Sequence, residues 1–219
     1  MPLLIRRYIQ AVTGITMIGI GVAFNYMANL GLGPWGVLHD GISKTIDITY
    51  GQAGILTSLI ALLLWIPLKQ KPGIATIFDA FWIGLTADYI ISIIQDPQTL
   101  LTQIAYLITG ITLIGLGTAI YVGGDLGAGP RDGIMVGLER LGLKIGNART
   151  LLEFVAFSIG FLLGGIVGIG TSIRFTISFL NDSTAAPLSL VFCEFSTNNI
   201  GSQATAHAHS STSLPVCGL

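Results

Sequence analysis

Two carboxylates, Asp79 and Asp88, fall inside an apolar block, Ile74 to Ile94, that is long enough to cross a bilayer core as a helix. A charge at such a depth is costly and normally faces a partner or a water-filled cavity. That makes both residues candidates for coupling a proton or cation to a transport cycle, against a hydrogen-bonded structural role. Asp79 lies near one end of the block, where it can reach headgroups beside Lys69 or Lys71, whereas Asp88 is deeper. Nine residues separate them, so they point to nearly opposite helix faces, which argues against one acid–base pair.

A second group of candidates surrounds two glycine–proline phrases. Gly31, Gly33 and Pro34 lead into Trp35, with His39 and Asp40 following. Gly127, Gly129 and Pro130 lead into Arg131 and Asp132. Proline is favoured at the first position of a helix, where its missing N–H costs nothing. Beyond Pro34, Trp35, Leu38 and Ile42 share one helical face, and beyond Pro130 so do Ile134, Leu138 and Leu141. Each phrase therefore predicts a glycine elbow leading into a short helix at the membrane or dipping into it. Free N–H groups at such a start can hold an anion, unless Asp132 satisfies them itself. The competing reading is a tight turn with an interfacial helix. His39 beside Asp40 can titrate near neutral pH, but the pattern reads as a solvated surface turn.

Other tempting signals carry less. Gly31-x-Gly33-x-x-Gly36 matches a dinucleotide fingerprint by letter, yet it holds Pro34, follows a membrane block rather than a strand, and lacks a βαβ context. His207 and His209 lie in a polar tail and offer at most adventitious metal binding. No Ser/His/Asp, Cys/His or zinc constellation lies in the apolar blocks, so neither an enzyme, a metal site nor a cofactor is expected. Glu153, early in the fifth block, is expected to snorkel or to pair with Arg149 one turn before. Asn25 is expected to bond across helices, and Gly160, Gly164 and Gly168 predict a smooth packing strip.

The elements that must position these residues are membrane helices. Of the chain, 52% is hydrophobic and only 10% charged, well below the charge content of a soluble domain. Tyr8 to Ala28, Gly51 to Leu68, Ile74 to Ile94, Leu100 to Val122 and Thr150 to Gly170 predict five spans. Near-zero net charge gives no reason to expect nucleic acid. Cys193 and Cys217 read as incidental, and the N-terminus does not read as a cleaved signal. Arg6, Arg7, Lys69, Lys71, Arg131, Arg140, Lys144 and Arg149 fall on one side, against Lys44 alone on the other, up to the end of the fifth block. The positive-inside rule makes that richer side, and the N-terminus, cytoplasmic.

The phrase from Gly19 to Pro34 returns about 96 residues later as Gly115 to Pro130. Gly51-Gln-Ala53 likewise meets Gly146-Asn-Ala148, and Gly73-Ile-Ala-Thr76 meets Gly168-Ile-Gly-Thr171. Three spans precede the second copy, so it begins from the opposite side, with Pro34 outside and Pro130 inside. This predicts inverted-topology repeats, 8–94 and 100–171, in one transmembrane domain over 1–171. A sixth span is missing: residues 172–219 turn polar, then rich in Ser, Thr, Asn and Gln, and read as a disordered or aberrant tail. A frameshift or recombination that replaced the native end accounts for this, and a divergent tail is the alternative.

Gly31-Leu-Gly-Pro-Trp35-Gly-Val-Leu-His39-Asp40-Gly41 and Gly127-Ala-Gly-Pro-Arg131-Asp132-Gly133-Ile-Met-Val-Gly137-Leu, with Leu162-Leu-Gly-Gly165 and Val167-Gly-Ile-Gly170-Thr171, resemble the YczE branch of the YczE/YyaS/YitT family of bacterial multi-pass membrane proteins. The resemblance runs from about Arg6 to Thr171 and implies a protein integral to the bacterial plasma membrane. The expectation is an all-α membrane protein that acts as a transporter or permease for a small molecule or ion, with the bilayer as its surroundings and room for homo-oligomers. A non-transporting regulator or partner-binding protein is the alternative.

Overall fold

The computed structural model describes residues 3–124, 129–168 and 170–171. The chain is an all-α membrane protein. Its described residues form seven helices and no strand: α1 Leu3–Met27, α2 Pro34–Ile46, α3 Tyr50–Trp65, α4 Ile74–Ile93, α5 Leu100–Val122, α6 Pro130–Arg140 and α7 Ile145–Leu162. Four stretches are long and apolar enough to cross a bilayer: Ile5–Met27, Ile74–Ile93, Leu100–Val122 and Ile145–Leu162.

The second expected span differs from its prediction. Helix α3 has 16 residues, about 24 Å at 1.5 Å per residue, short of a core of roughly 30 Å. It qualifies only together with α2, from which it is bent by 110°. Local chemistry makes the bend. Asp47 closes α2 in the left-handed region at φ 55°, and Thr49 opens α3 with a capping box shared with Gln52. The fifth span also stops early, at Leu162 rather than Gly170. There Gly164 takes φ 81°, and Gly165 N–H reaches back to Gly160 O at 2.9 Å. That is a Schellman-type stop, which a run of glycines favours.

Packing depends on close backbone approach, because lipid removes the hydrophobic drive between helices. A β-carbon at Gly14 would lie 2.7 Å from Gly117 O, and one at Gly21 2.7 Å from Gly110 O. As one partner number rises the other falls, so α1 and α5 run antiparallel. Helix α4 joins them where a β-carbon at Gly19 would meet Thr86 Cβ at 2.7 Å. Helix α2 packs on α7 through Gly41 and Gly160, and α3 on α4 through Gly51 and Gly84. Of the expected glycine strip, only Gly160 packs within a helix. Gly164 has no neighbour, and Gly168 meets the Leu30–Gly31 turn from a loop. Asn25 corrects its expectation too: its amide donates to Gly21 O of its own helix at 3.0 Å, while its side chain covers Gly110 of α5. The Arg149–Glu153 pair forms at 3.3 Å. The tail expected over 172–219, with His207, His209, Cys193 and Cys217, lies outside the described residues.

Candidate functional site

The two elbows meet. Pro34 and Pro130 each occupy the first turn of their helices, behind extended N-cap residues Gly33 and Gly129. The next residues face one another, with the Arg131 guanidinium 5.2 Å from the centre of the Trp35 ring. A bilayer core therefore does not separate the two helix starts, although Pro34 was expected outside and Pro130 inside. Gly31, at φ 111°, lets the first elbow turn against Gly168. Gly127 lies outside the described residues.

Asp79 and Asp132 converge on Gly129. A β-carbon there would lie 3.2 Å from Asp132 Oδ2 and 3.3 Å from Asp79 Oδ2. Asp79 is 8% exposed, whereas Asp132 is exposed. Sequence position alone suggested that Asp79 could escape to the headgroups, but the start of α6 covers it. Arg131 and Arg149 bring positive charge to Asp132, and the Gly129 N–H reaches its carboxylate. The Arg131 charge also acts on Asp79. The Trp65 indole pins this arrangement by donating from Nε1 to Pro130 O at 2.8 Å.

Asp88 serves differently. Its Oδ1 accepts the Gly51 N–H at 2.7 Å and its Oδ2 accepts the Thr49 hydroxyl. It thus caps the start of α3, where a negative charge complements the helix dipole. His39 and Asp40 are not in a solvated turn, because α3 and α7 enclose their helix. His39 Nε2 and the Thr57 hydroxyl share a 2.9 Å hydrogen bond. The Thr57 hydroxyl also lies 2.9 Å from Gly54 O, and the direction of the His39 bond follows the ring's tautomer. Asp40 is fully buried. Its Oδ2 accepts from Lys44 Nζ and from Ile166 N–H, each at 2.7 Å, tying α2 to the segment after α7.

A cavity of about 30 Å³ lies between these groups, lined by His39, Tyr50, Ser58, Asp79, Pro130 and Arg131 among others. It is room for one water. A second, wider recess of about 380 Å³ is lined by Tyr26, Ser43, Thr49, Tyr50, Asp88 and Ser92 among others. No group of three or more His, Cys, Asp or Glu side chains suited to a metal occurs among the described residues. Sequence reasoning missed Trp35, Trp65 and Tyr50. Only the equivalence of positions 35 and 131 in the repeated phrase signalled one of them.

The model of a family of unknown function, DUF6198, matches residues 5–178. The chain belongs to the DUF6198 family. Its DUF6198 match takes in α2 to α7 and all but the first two residues of α1, and continues a few residues past Thr171. An uncharacterized protein of Haemophilus influenzae is 39% identical over 158 residues, 72% of each chain. The uncharacterized membrane protein YczE of Bacillus subtilis is 28% identical over 171 residues, covering 77% of this chain and 80% of its own. YyaS of the same organism is 29% identical over 170 residues, covering 75% and 85%. No solved structure matches the chain significantly.

Proposed function

We propose that this protein is a bacterial plasma-membrane transporter for a small solute, coupled to protons or another cation through Asp79, with its N-terminus cytoplasmic. The observation that carries the reading is a buried carboxylate at the meeting point of two half-helix starts, beside a water-sized cavity. Inverted repeats support it. Trp35 and Arg131, which touch, are equivalent positions of the repeated phrase. The glycine contacts Gly14–Gly117 and Gly21–Gly110 exchange with one another under the same offset of about 96 residues. Gly73 N–H is capped by Thr76 Oγ1 at 3.3 Å, and Gly168 N–H by Thr171 Oγ1 at 3.2 Å.

Two tests follow from this reading. Single cysteines at Asp47 and Lys144, next to equivalent places in the halves, are expected to react from opposite faces of the membrane. Labelling from one face refutes the inverted arrangement. For transport, proteoliposomes under an imposed proton gradient are offered a defined mixture of small polar metabolites, and the lumen is read by mass spectrometry. The wild type is expected to accumulate at least one solute and Asp79→Asn none. If the wild type accumulates nothing, the non-transporting, partner-binding reading stands, which the small size of the central cavity favours.

A further inference from the structure

The two cavities are neighbours with one shared wall. Tyr50 lines both. It is 6% exposed, stacked on Tyr26 with ring centres 4.2 Å apart, and edge-on to His39 at 5.7 Å. It is also the first residue of α3, directly after the 110° bend. Any rotation of α3 about that bend moves the ring.

The wider recess has a definite chemistry. Its polar lining consists of the Asp88 carboxylate, the two tyrosines and the hydroxyls of Ser43, Thr49 and Ser92, without a Lys, Arg or His. Asp88 accepts one hydrogen bond on each oxygen and so keeps lone pairs for a ligand. A carboxylate beside aromatic faces, in a recess of about 380 Å³, suits a small organic ammonium ion and disfavours an anion.

We propose that this recess is a vestibule for a small organic cation, and that the Tyr50 ring is the door between it and the cavity holding Asp79. The inference rests on the transport reading for its purpose, but its geometry can be tested without any flux. A cation entering the vestibule would lie over the tyrosine pair. Displacing Tyr50 would then join the vestibule to the space bounded by His39, Asp79 and Arg131.

The test uses the full chain with Cys193 and Cys217 changed to serine, reconstituted in liposomes. The vestibule side is the face from which Asp47→Cys reacts. One reporter, Ser92→Cys, lies in the vestibule, and another, Ser58→Cys, lies in the inner cavity. Each meets the cationic trimethylammonioethyl or the anionic sulfonatoethyl methanethiosulfonate from that side. Ser92→Cys is expected to favour the cation severalfold beyond the ratio at Asp47→Cys, and Asp88→Asn to abolish the preference. Ser58→Cys is expected to react at least tenfold faster with the cation when Tyr50→Ala is added. Tyr50→Leu, which keeps bulk but not stacking, should change the rate in the same direction and serves if the alanine variant does not accumulate. Equal reaction of the two reagents at Ser92→Cys overturns the cation vestibule, and an unchanged rate at Ser58→Cys overturns the door. Absence of solute uptake with both labelling results intact would refute transport while leaving the gated recess in place.

Discussion

Valine in place of Gly51 is expected to unseat α3 from α4 and to remove most of the folded protein from the membrane. The Gly51 α-carbon lies against the Gly84 backbone, and a β-carbon there would lie 2.6 Å from the Asp88 carboxyl carbon. The Gly51 N–H is meanwhile one of the two donors that hold Asp88. Valine thus forces two helices apart and breaks a charge-assisted bond at once. Overpacking costs about 1–3 kcal/mol and a hydrogen bond to a charged group contributes about 1.5–3 kcal/mol, so a loss of roughly 3–5 kcal/mol is expected. Against a typical total of about 5–15 kcal/mol, that is a large share. Tryptophan fluorescence during thermal unfolding in detergent measures it. Gly115→Val is the control, because no described residue lies within 4 Å of a β-carbon at that site; its midpoint should stay close to wild type. Equal losses from the two variants would show that these contacts do not hold the helices together.

That contrast also shows which features were legible in the sequence. The apolar blocks were, because the bilayer demands length and hydrophobicity from a local stretch. The Arg149–Glu153 pair was, because i,i+4 spacing fixes it within one helix. The separation of α2 from α3 was too, but the 110° bend between them was not, since it depends on Asp47 adopting a left-handed conformation. The expectation that Asp79 reaches the headgroups failed for a non-local reason. Position along a helix gives distance from its ends, but burial depends on which neighbour covers each face. The start of α6, about fifty residues further along the chain, covers Asp79. The same blindness put His39 and Asp40 in a solvated turn: their neighbours Ser43 and Lys44 are polar, yet α3 and α7 close over the helix.

Trp65→Ala is the other substitution with a large expected effect, and it tests whether α3 holds the second elbow. Trp65 is 3% exposed. Its ring lies directly against the Gly133 α-carbon of α6, in a cluster with Ala61 and Ile134. Truncating a buried tryptophan costs about 3–5 kcal/mol, and the hydrogen bond to Pro130 O goes with it. Because that bond ends on the residue before Arg131, the variant should also release the Arg131–Trp35 contact and lose solute uptake. A size exchange separates packing from general damage. Gly133→Ala alone pushes a methyl group into the indole and should destabilise by about 1–3 kcal/mol as an overpacked site. Combined with Trp65→Leu, which vacates that space, the alanine should cost far less, giving a coupling of about 1 kcal/mol or more in a double-mutant cycle. Thermal unfolding of the four proteins supplies the cycle. Simple additivity would mean that Trp65 and Gly133 do not share the contact that positions α6, and the elbow's placement would then need another anchor.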